Sequence, residues 1–213
     1  LPRRHAADCG TGRVLRAELL LADDSGGGFI ELHLIRHPRT IAPAGTCYGA
    51  SDLALATDPR EAADRLRALL PARFTLASSP ATRCLQLAQL LGSTPEVDAR
   101  LREMDFGDWE MQSFDRLPRN AIDAWAADPF GFRPPGGETA EEMAGRVLDA
   151  LQDLGLREHA ALVIVAHGGP LRVIAGQLAG VPRSDWLALS FDFARATRID
   201  IVEGSASIVC RDR

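Results

Sequence analysis

Ala161-Leu162-Val163-Ile164-Val165 is an unbroken apolar run, followed closely by His167-Gly168-Gly169-Pro170. It is far too short to cross a bilayer and shorter than an ordinary buried helix. A strand with one wet face would alternate apolar and polar residues, so a continuous run implies a strand covered on both faces. Such a strand needs a layer on each side of its sheet, and the Gly-Gly-Pro that follows opens the next helix.

Other segments fit the same arrangement. Glu31-Leu32-His33-Leu34-Ile35 is a strand candidate ending at Arg36-His37-Pro38, and residues 74–77 form a short strand leading into Ser78-Ser79-Pro80. The Ser-Ser-Pro supplies an N-cap and a first-turn proline for a helix carrying Leu85, Leu87, Ala88 and Leu91. Asp58-Pro59-Arg60-Glu61 opens another helix, capped by Asp58 and running to about Leu70. Thr139-Ala140-Glu141-Glu142 has capping-box spacing at the head of a helix to about Leu154. Residues 198–202 and 206–210 read as two strands joined around Gly204-Ser205. Residues 104–137 form a longer, less regular insert, and there is no internal repeat. The pattern predicts an α/β three-layer sandwich with a mostly parallel central sheet and helices on both faces.

At 213 residues the chain holds one well-buried domain, placed at 30–213. Residues 1–29 read as a flexible N-terminal extension. They end in the linker composition Ala22-Asp23-Asp24-Ser25-Gly26-Gly27-Gly28, and residues 14–21 have the length of two helical turns. That stretch carries two charges and makes a poor signal-peptide core, so a cytoplasmic location is the default expectation. A formal net charge of -5 argues against a nucleic-acid binder, and no stretch is apolar enough for a membrane span. Cys9, Cys47, Cys84 and Cys210 are scattered, without metal spacing, and read as reduced thiols.

In sheets of this kind ligands bind beyond the C-terminal ends of the strands. Arg36-His37, Ser79 to Arg83 and His167-Gly168 all follow predicted strands, so three separate segments converge on one edge. Arg83 falls in the first turn of a helix, where free N–H groups and an arginine fork both favour anions. Taken singly, each has a bland alternative: an incidental Arg-His dipeptide, a surface arginine, a core histidine. The run from Leu101 to Glu110 holds four acids, and spacing does not choose among Glu103, Asp105, Asp108 and Glu110.

Leu34-Ile35-Arg36-His37-Pro38-Arg39-Thr40 resembles the signature of the histidine phosphatase (phosphoglycerate mutase-like) superfamily. Cys47-Tyr48-Gly49-Ala50-Ser51-Asp52, Ser78-Ser79-Pro80-Ala81-Thr82-Arg83, Leu101-Arg102-Glu103, Gly136-Gly137-Glu138-Thr139 and Val165-Ala166-His167-Gly168-Gly169 match further motifs in the family's order. Pro38-Arg39 departs from the commoner Gly-Glu. With Cys47-Tyr48-Gly49 it resembles the α-ribazole phosphatase branch of cobalamin biosynthesis.

The resemblance implies a phosphomonoesterase that needs neither metal nor cofactor. His37, which two neighbouring arginines should help keep neutral, would attack phosphorus in line and become phosphohistidine. Arg36, Arg83, His167 and Gly168 would bind the phosphoryl oxygens, Tyr48 and Gly49 the rest of the substrate. Glu103 would protonate the leaving oxygen and then activate the water. The partner is a small phosphorylated metabolite; the sequence does not set the oligomeric state.

The insert holds Arg116, Arg119 and Arg133 but also Phe106, Trp109, Phe114, Trp125, Phe130 and Phe132. Most of these aromatics are expected to pack the insert onto the sheet; if even two line the mouth, the leaving group is bulky and partly apolar, which favours a phosphatase over a mutase. A non-catalytic binding module is disfavoured, since all five catalytic candidates are retained. A cysteine phosphatase is too, because no cysteine precedes an arginine across five intervening residues. α-Ribazole 5′-phosphate is the expected substrate. The alternatives are a general sugar- or nucleotide-phosphate phosphatase, then a phosphoglycerate mutase.

Overall fold

The computed structural model describes residues 29–92, 94–155, 161–202 and 205–211. The expected helix at 14–21, the linker before Phe29 and Gly204 of the expected turn lie outside the described residues. The elements are β1 (Phe29–Arg36), α1 (Arg60–Arg67), β2 (Thr75–Ser78), α2 (Thr82–Leu91) and β3 (Glu96–Val97), then α3 (Arg119–Ala127) and α4 (Ala140–Asp153), then β4 (Ala161–Ala166), α5 (Gly168–Leu178), β5 (Ala196–Val202) and β6 (Ser205–Arg211). Among the described residues no helix is long and apolar enough to cross a membrane.

The six strands form one sheet in the order β3-β2-β4-β1-β5-β6. The first four are parallel, while β5 and β6 add antiparallel pairings beyond β1. β4 lies between β2 and β1, as its continuous apolar run predicts. Its Leu162 and Ile164 join Leu32, Leu34, Leu151 and Leu171 on the α4–α5 side. Val163 and Val165 join Ile35, Leu66 and Leu87 on the α1–α2 side. None of these four β4 side chains is exposed, and each burial stabilises the fold by about 2 kcal/mol. The three-layer α/β architecture is therefore the one expected.

Local departures have identifiable causes. β1 begins at Phe29, so that residue belongs to the sheet and not to the extension. α1 stops at Arg67, where single-turn bonds from Leu69 and Leu70 precede Pro71. Its start is as expected: Asp58 accepts from the Arg60 amide at 2.9 Å, and Pro59 already has helical angles. α4 carries the full capping box of Thr139 and Glu142.

Ser79 does not cap α2. The residue before that helix is Ala81, in an extended conformation, and the Thr82 amide and hydroxyl donate instead to the Asp52 carboxylate. The insert contains one helix, α3, and two single 3-10 turns at Gly107–Trp109 and Phe114–Arg116.

Candidate active site

β1, β2 and β4 end in register, which sets three segments side by side. The His37 amide donates to the Ala166 carbonyl at 3.1 Å, and the Ser79 amide to the Val165 carbonyl at 3.0 Å. His37, Ser79 and His167 thus meet at one sheet edge, and all three are buried.

His37 Nδ1 lies 2.6 Å from the Pro38 carbonyl oxygen. A carbonyl can only accept, so Nδ1 carries the proton and Nε2 keeps its lone pair. Among the described residues nothing hydrogen-bonds that Nε2. Burial, opposed by the Pro38 bond and reinforced by Arg83 and Arg36, lowers the His37 pKa to about 3. The ring is therefore neutral, with a nitrogen lone pair available on Nε2. Arg83 and Arg36 add to this neutrality, and burial is the larger cause.

Arg83 is 1 % exposed at the head of α2. Its Nη1 donates to the Ser51 carbonyl and its Nη2 to the Gly49 carbonyl, both at 2.7 Å. Its Nε donates to His167 Nδ1 at 3.3 Å. A guanidinium cannot accept, so the His167 proton sits on Nε2, 2.8 Å from Ser79 Oγ. Burial, with His37 and the arginines adding to it, holds His167 well below the ordinary histidine pKa. The His37 and His167 ring centroids are 5.1 Å apart.

Arg36 donates through Nη1 to the Phe191 carbonyl at 2.7 Å. Its Nε is the one buried side-chain nitrogen or oxygen without a partner among the described residues. An unpaired buried donor of a charged group is costly, and an anion would relieve it.

Glu103 reaches the same place from the segment before the insert. Both carboxylate oxygens lie 3.1 Å from the Gly169 amide, in the first turn of α5. A Cβ on Gly169 would fall 2.2 Å from Glu103 Oε1, so this approach requires glycine. Glu103 is positioned by Arg146 of α4, whose guanidinium donates to the carbonyls of Arg100, Arg102 and Glu103 and pairs with Glu138.

The structure also separates the four acids that spacing could not. Asp105 accepts from the Gly107 amide, and Asp108 lies beside Gly136. Glu110 accepts from the amides of Gly49, Ala50, Ser51 and Phe106 at 3.0–3.2 Å. Burial raises the Glu110 pKa, but the Ser51 hydroxyl and the amides outweigh it, and the carboxyl lies below its usual value.

Gly49 is buried, with its amide on Glu110 and its carbonyl on Arg83. It reaches the site through Arg83, while Tyr48 stays partly exposed with its ring centroid 5.6 Å from the Arg83 guanidinium. At Gly168 a Cβ would meet Arg172 Nη1 at 2.9 Å and the Arg36 guanidinium carbon at 3.5 Å.

The insert aromatics mostly pack on one another. Trp109 contacts Trp125 and Phe132, Phe114 stacks on Trp125, and Phe130 meets Trp186 of the 3-10 segment Arg183–Ala188. Only Phe106 of the six is seen beside a site segment, at Gly49. The aromatic that touches His37 is Phe193, at 5.4 Å between ring centroids. Sequence reasoning missed Phe193, Glu110 as the loop anchor, Arg146, and Ser79 as the partner of His167. Ser79 and Glu110 lay within quoted motifs or runs; Arg146 and Phe193 left no local signal. Burial, aided by Glu110, pushes the Cys47 thiol up to about 12, and burial raises Cys84 as well, so neither is a thiolate at neutral pH.

The site therefore combines a neutral imidazole nitrogen, two guanidinium groups and a carboxylate. Residues 32–212 match the model of the histidine phosphatase superfamily, branch 1. The chain is similar to the α-ribazole phosphatase from Shigella flexneri, whose crystal structure superposes with a TM-score of 0.77 and 28% identity over 86% of this chain and 96% of that one. It is 30% identical to the glucosyl-3-phosphoglycerate phosphatase of Mycolicibacterium vanbaalenii, over 74% of this chain and 78% of that protein. It is 28% identical to a protein of Erwinia tasmaniensis named probable phosphoglycerate mutase GpmB, over 80% and 85%.

Proposed function

We propose the following chemistry for this chain, which belongs to the histidine phosphatase superfamily (branch 1) and is a phosphatase. It hydrolyses phosphate monoesters through a phosphohistidine on His37, without a metal ion. The observation that carries this is the His37 ring, neutral, with Nδ1 tied to Pro38, no hydrogen-bond partner on Nε2 among the described residues, and Arg36 and Arg83 near enough to act on its charge.

His37 Nε2 attacks phosphorus in line, forming the N–P bond as the P–O ester bond breaks. Arg36 Nε, Arg83 and the first turn of α5 at Gly168 take the phosphoryl oxygens. His167 joins them by exchanging the Ser79 hydroxyl for a phosphoryl oxygen, a neutral acceptor for an anionic one. The acid form of Glu103 gives its proton to the departing alcohol, and the resulting carboxylate takes one from the water that attacks the phosphohistidine, which restores the acid. The products are the alcohol and inorganic phosphate, and His37 is regenerated.

The substrate is a small phosphorylated metabolite of the cytoplasm, and α-ribazole 5′-phosphate is the one we favour. Support comes from Pro38-Arg39, Cys47-Tyr48-Gly49 and the likeness to the Shigella protein. Two partly exposed aromatic rings, Tyr48 and Phe193, lie against the arginines of the site. A ring-bearing leaving group suits such walls. The likeness to a glucosyl-3-phosphoglycerate phosphatase favours a second reading, a phosphatase of sugar phosphates.

Steady-state kinetics on α-ribazole 5′-phosphate, glucosyl-3-phosphoglycerate, 3-phosphoglycerate and simple sugar phosphates separate these readings. Equal and poor rates on all would sink the cobalamin assignment. His37→Ala should abolish turnover, and excess EDTA should leave it undiminished. Strict Mg²⁺ dependence would overturn the mechanism.

A further inference from the structure

Resting on the phosphohistidine reading of His37, we propose that Phe193 is a positioning residue that holds Arg36 in its phosphate-binding orientation. Several contacts converge on Arg36 from the segment just before β5, among them its own amide donating to the Arg195 carbonyl at 3.2 Å. The Phe191 carbonyl accepts from Arg36 Nη1 at 2.7 Å. The Phe193 ring lies against the guanidinium, with 3.7 Å from its carbon to the ring centroid. The Ala194 amide donates to the carbonyls of both Arg36 and His37, at 3.0 and 3.2 Å.

Ala194 has φ +55, which a non-glycine residue adopts only where its surroundings enforce it. That turn places Phe193 under Arg36 while the chain still bonds to the end of β1. With Nη1 fixed by Phe191 and the guanidinium face fixed by Phe193, the plane of Arg36 is set. Nε is left as the unpartnered donor. Phe193 also closes one side of the His37 ring, adding to the burial that keeps it neutral.

Arg39 approaches the same ring, 4.9 Å from its centroid, but is exposed. Arg39→Ala is therefore the control that removes a second cation from Phe193 while leaving the Phe193–Arg36 contact in place.

The test is a double-mutant cycle between Phe193→Leu and Arg36→Lys, read by turnover of p-nitrophenyl phosphate and competitive inhibition by inorganic phosphate. Phe193→Leu should weaken phosphate inhibition and raise KM by about tenfold, with Phe193→Tyr and Arg39→Ala within about twofold of the parent. In the Arg36→Lys background the Phe193→Leu effect should shrink to less than about twofold, because the group it orients is gone. An unchanged inhibition constant in Phe193→Leu overturns the proposal. So does an equal factor in both backgrounds, which would mark Phe193 as packing only. Phe193→Met is the second variant if leucine does not fold. His37→Ala separates the underlying mechanism: if it stays active, the phosphohistidine reading fails whatever the cycle returns.

Discussion

The depressed pKa of His37 has a consequence for stability that can be measured without substrate. An unfolded histidine titrates near 6.5, whereas the native ring does so at about 3. The charged groups that face it are Arg36 and Arg83, and its other neighbours are Pro38, His167 and Phe193. An imidazolium there would have no hydrogen-bonded carboxylate. Because the folded pKa is the lower one, the full stability is present above the unfolded pKa and is lost as pH falls toward 3. Each pH unit within that window costs about 1.4 kcal/mol per histidine, or about 2 kcal/mol between neutral pH and pH 5.

His37→Gln removes this proton uptake while leaving every other titrating group in place. Urea unfolding of both proteins at pH 7, 6 and 5 gives the difference directly, so the baseline cost of the substitution cancels. The variant should gain on the parent by about 2 kcal/mol over that range. A difference that stays constant with pH would mean that native His37 takes up a proton freely, and the neutral-nucleophile argument would fail with it. His167→Gln should drift in the same direction.

Two further substitutions probe the frame around the site. Glu110→Gln replaces one acceptor oxygen by an NH₂ facing the Gly49 and Ser51 amides and should cost about 2–4 kcal/mol in urea unfolding, with kcat/KM also falling, since Gly49 and Ser51 hold Arg83. Gly169→Ala drives a Cβ toward Glu103 Oε1 and should lower kcat at least about tenfold while phosphate inhibition changes little; an unaltered kcat would remove Glu103 from the proton transfers.

What the sequence disclosed follows from how local each cause is. β4 was legible because burial on both faces writes itself into five consecutive residues, and α4 because its capping box closes within four. Ser79-Pro80 looked like a helix start by the same local rule. It was not one, because His167, far along the chain, takes the serine hydroxyl, and Asp52 takes over the capping. Arg36, His37, Arg83 and His167 could be picked out because parallel strands bring their C-terminal ends together whatever lies between. Phe193 and Arg146 act across long separations on groups that no periodicity marks. The insert aromatics needed the structure for a similar reason: composition located them, but only packing shows that Trp109 meets both Trp125 and Phe132.

The same long-range pairings explain how a chain with a net charge of -5 can present a positive site. Arg83 gives its hydrogen bonds to two carbonyls and a neutral ring, and Arg36 gives one to a carbonyl, so neither is neutralised by a hydrogen-bonded carboxylate. Asp52 is the nearest acid to Arg83, at 3.7 Å, but its own hydrogen bonds go to Thr82. Glu110 likewise spends its charge on four amides. Acids are thus quenched by backbone N–H groups and guanidinium groups are steadied by backbone C=O groups. Had the nearby acids and arginines paired directly, the fold would keep a comparable number of ionic contacts and lose the field. With those hydrogen bonds directed elsewhere, two cations remain beside a neutral imidazole, a field that favours an anion such as a phosphate ester.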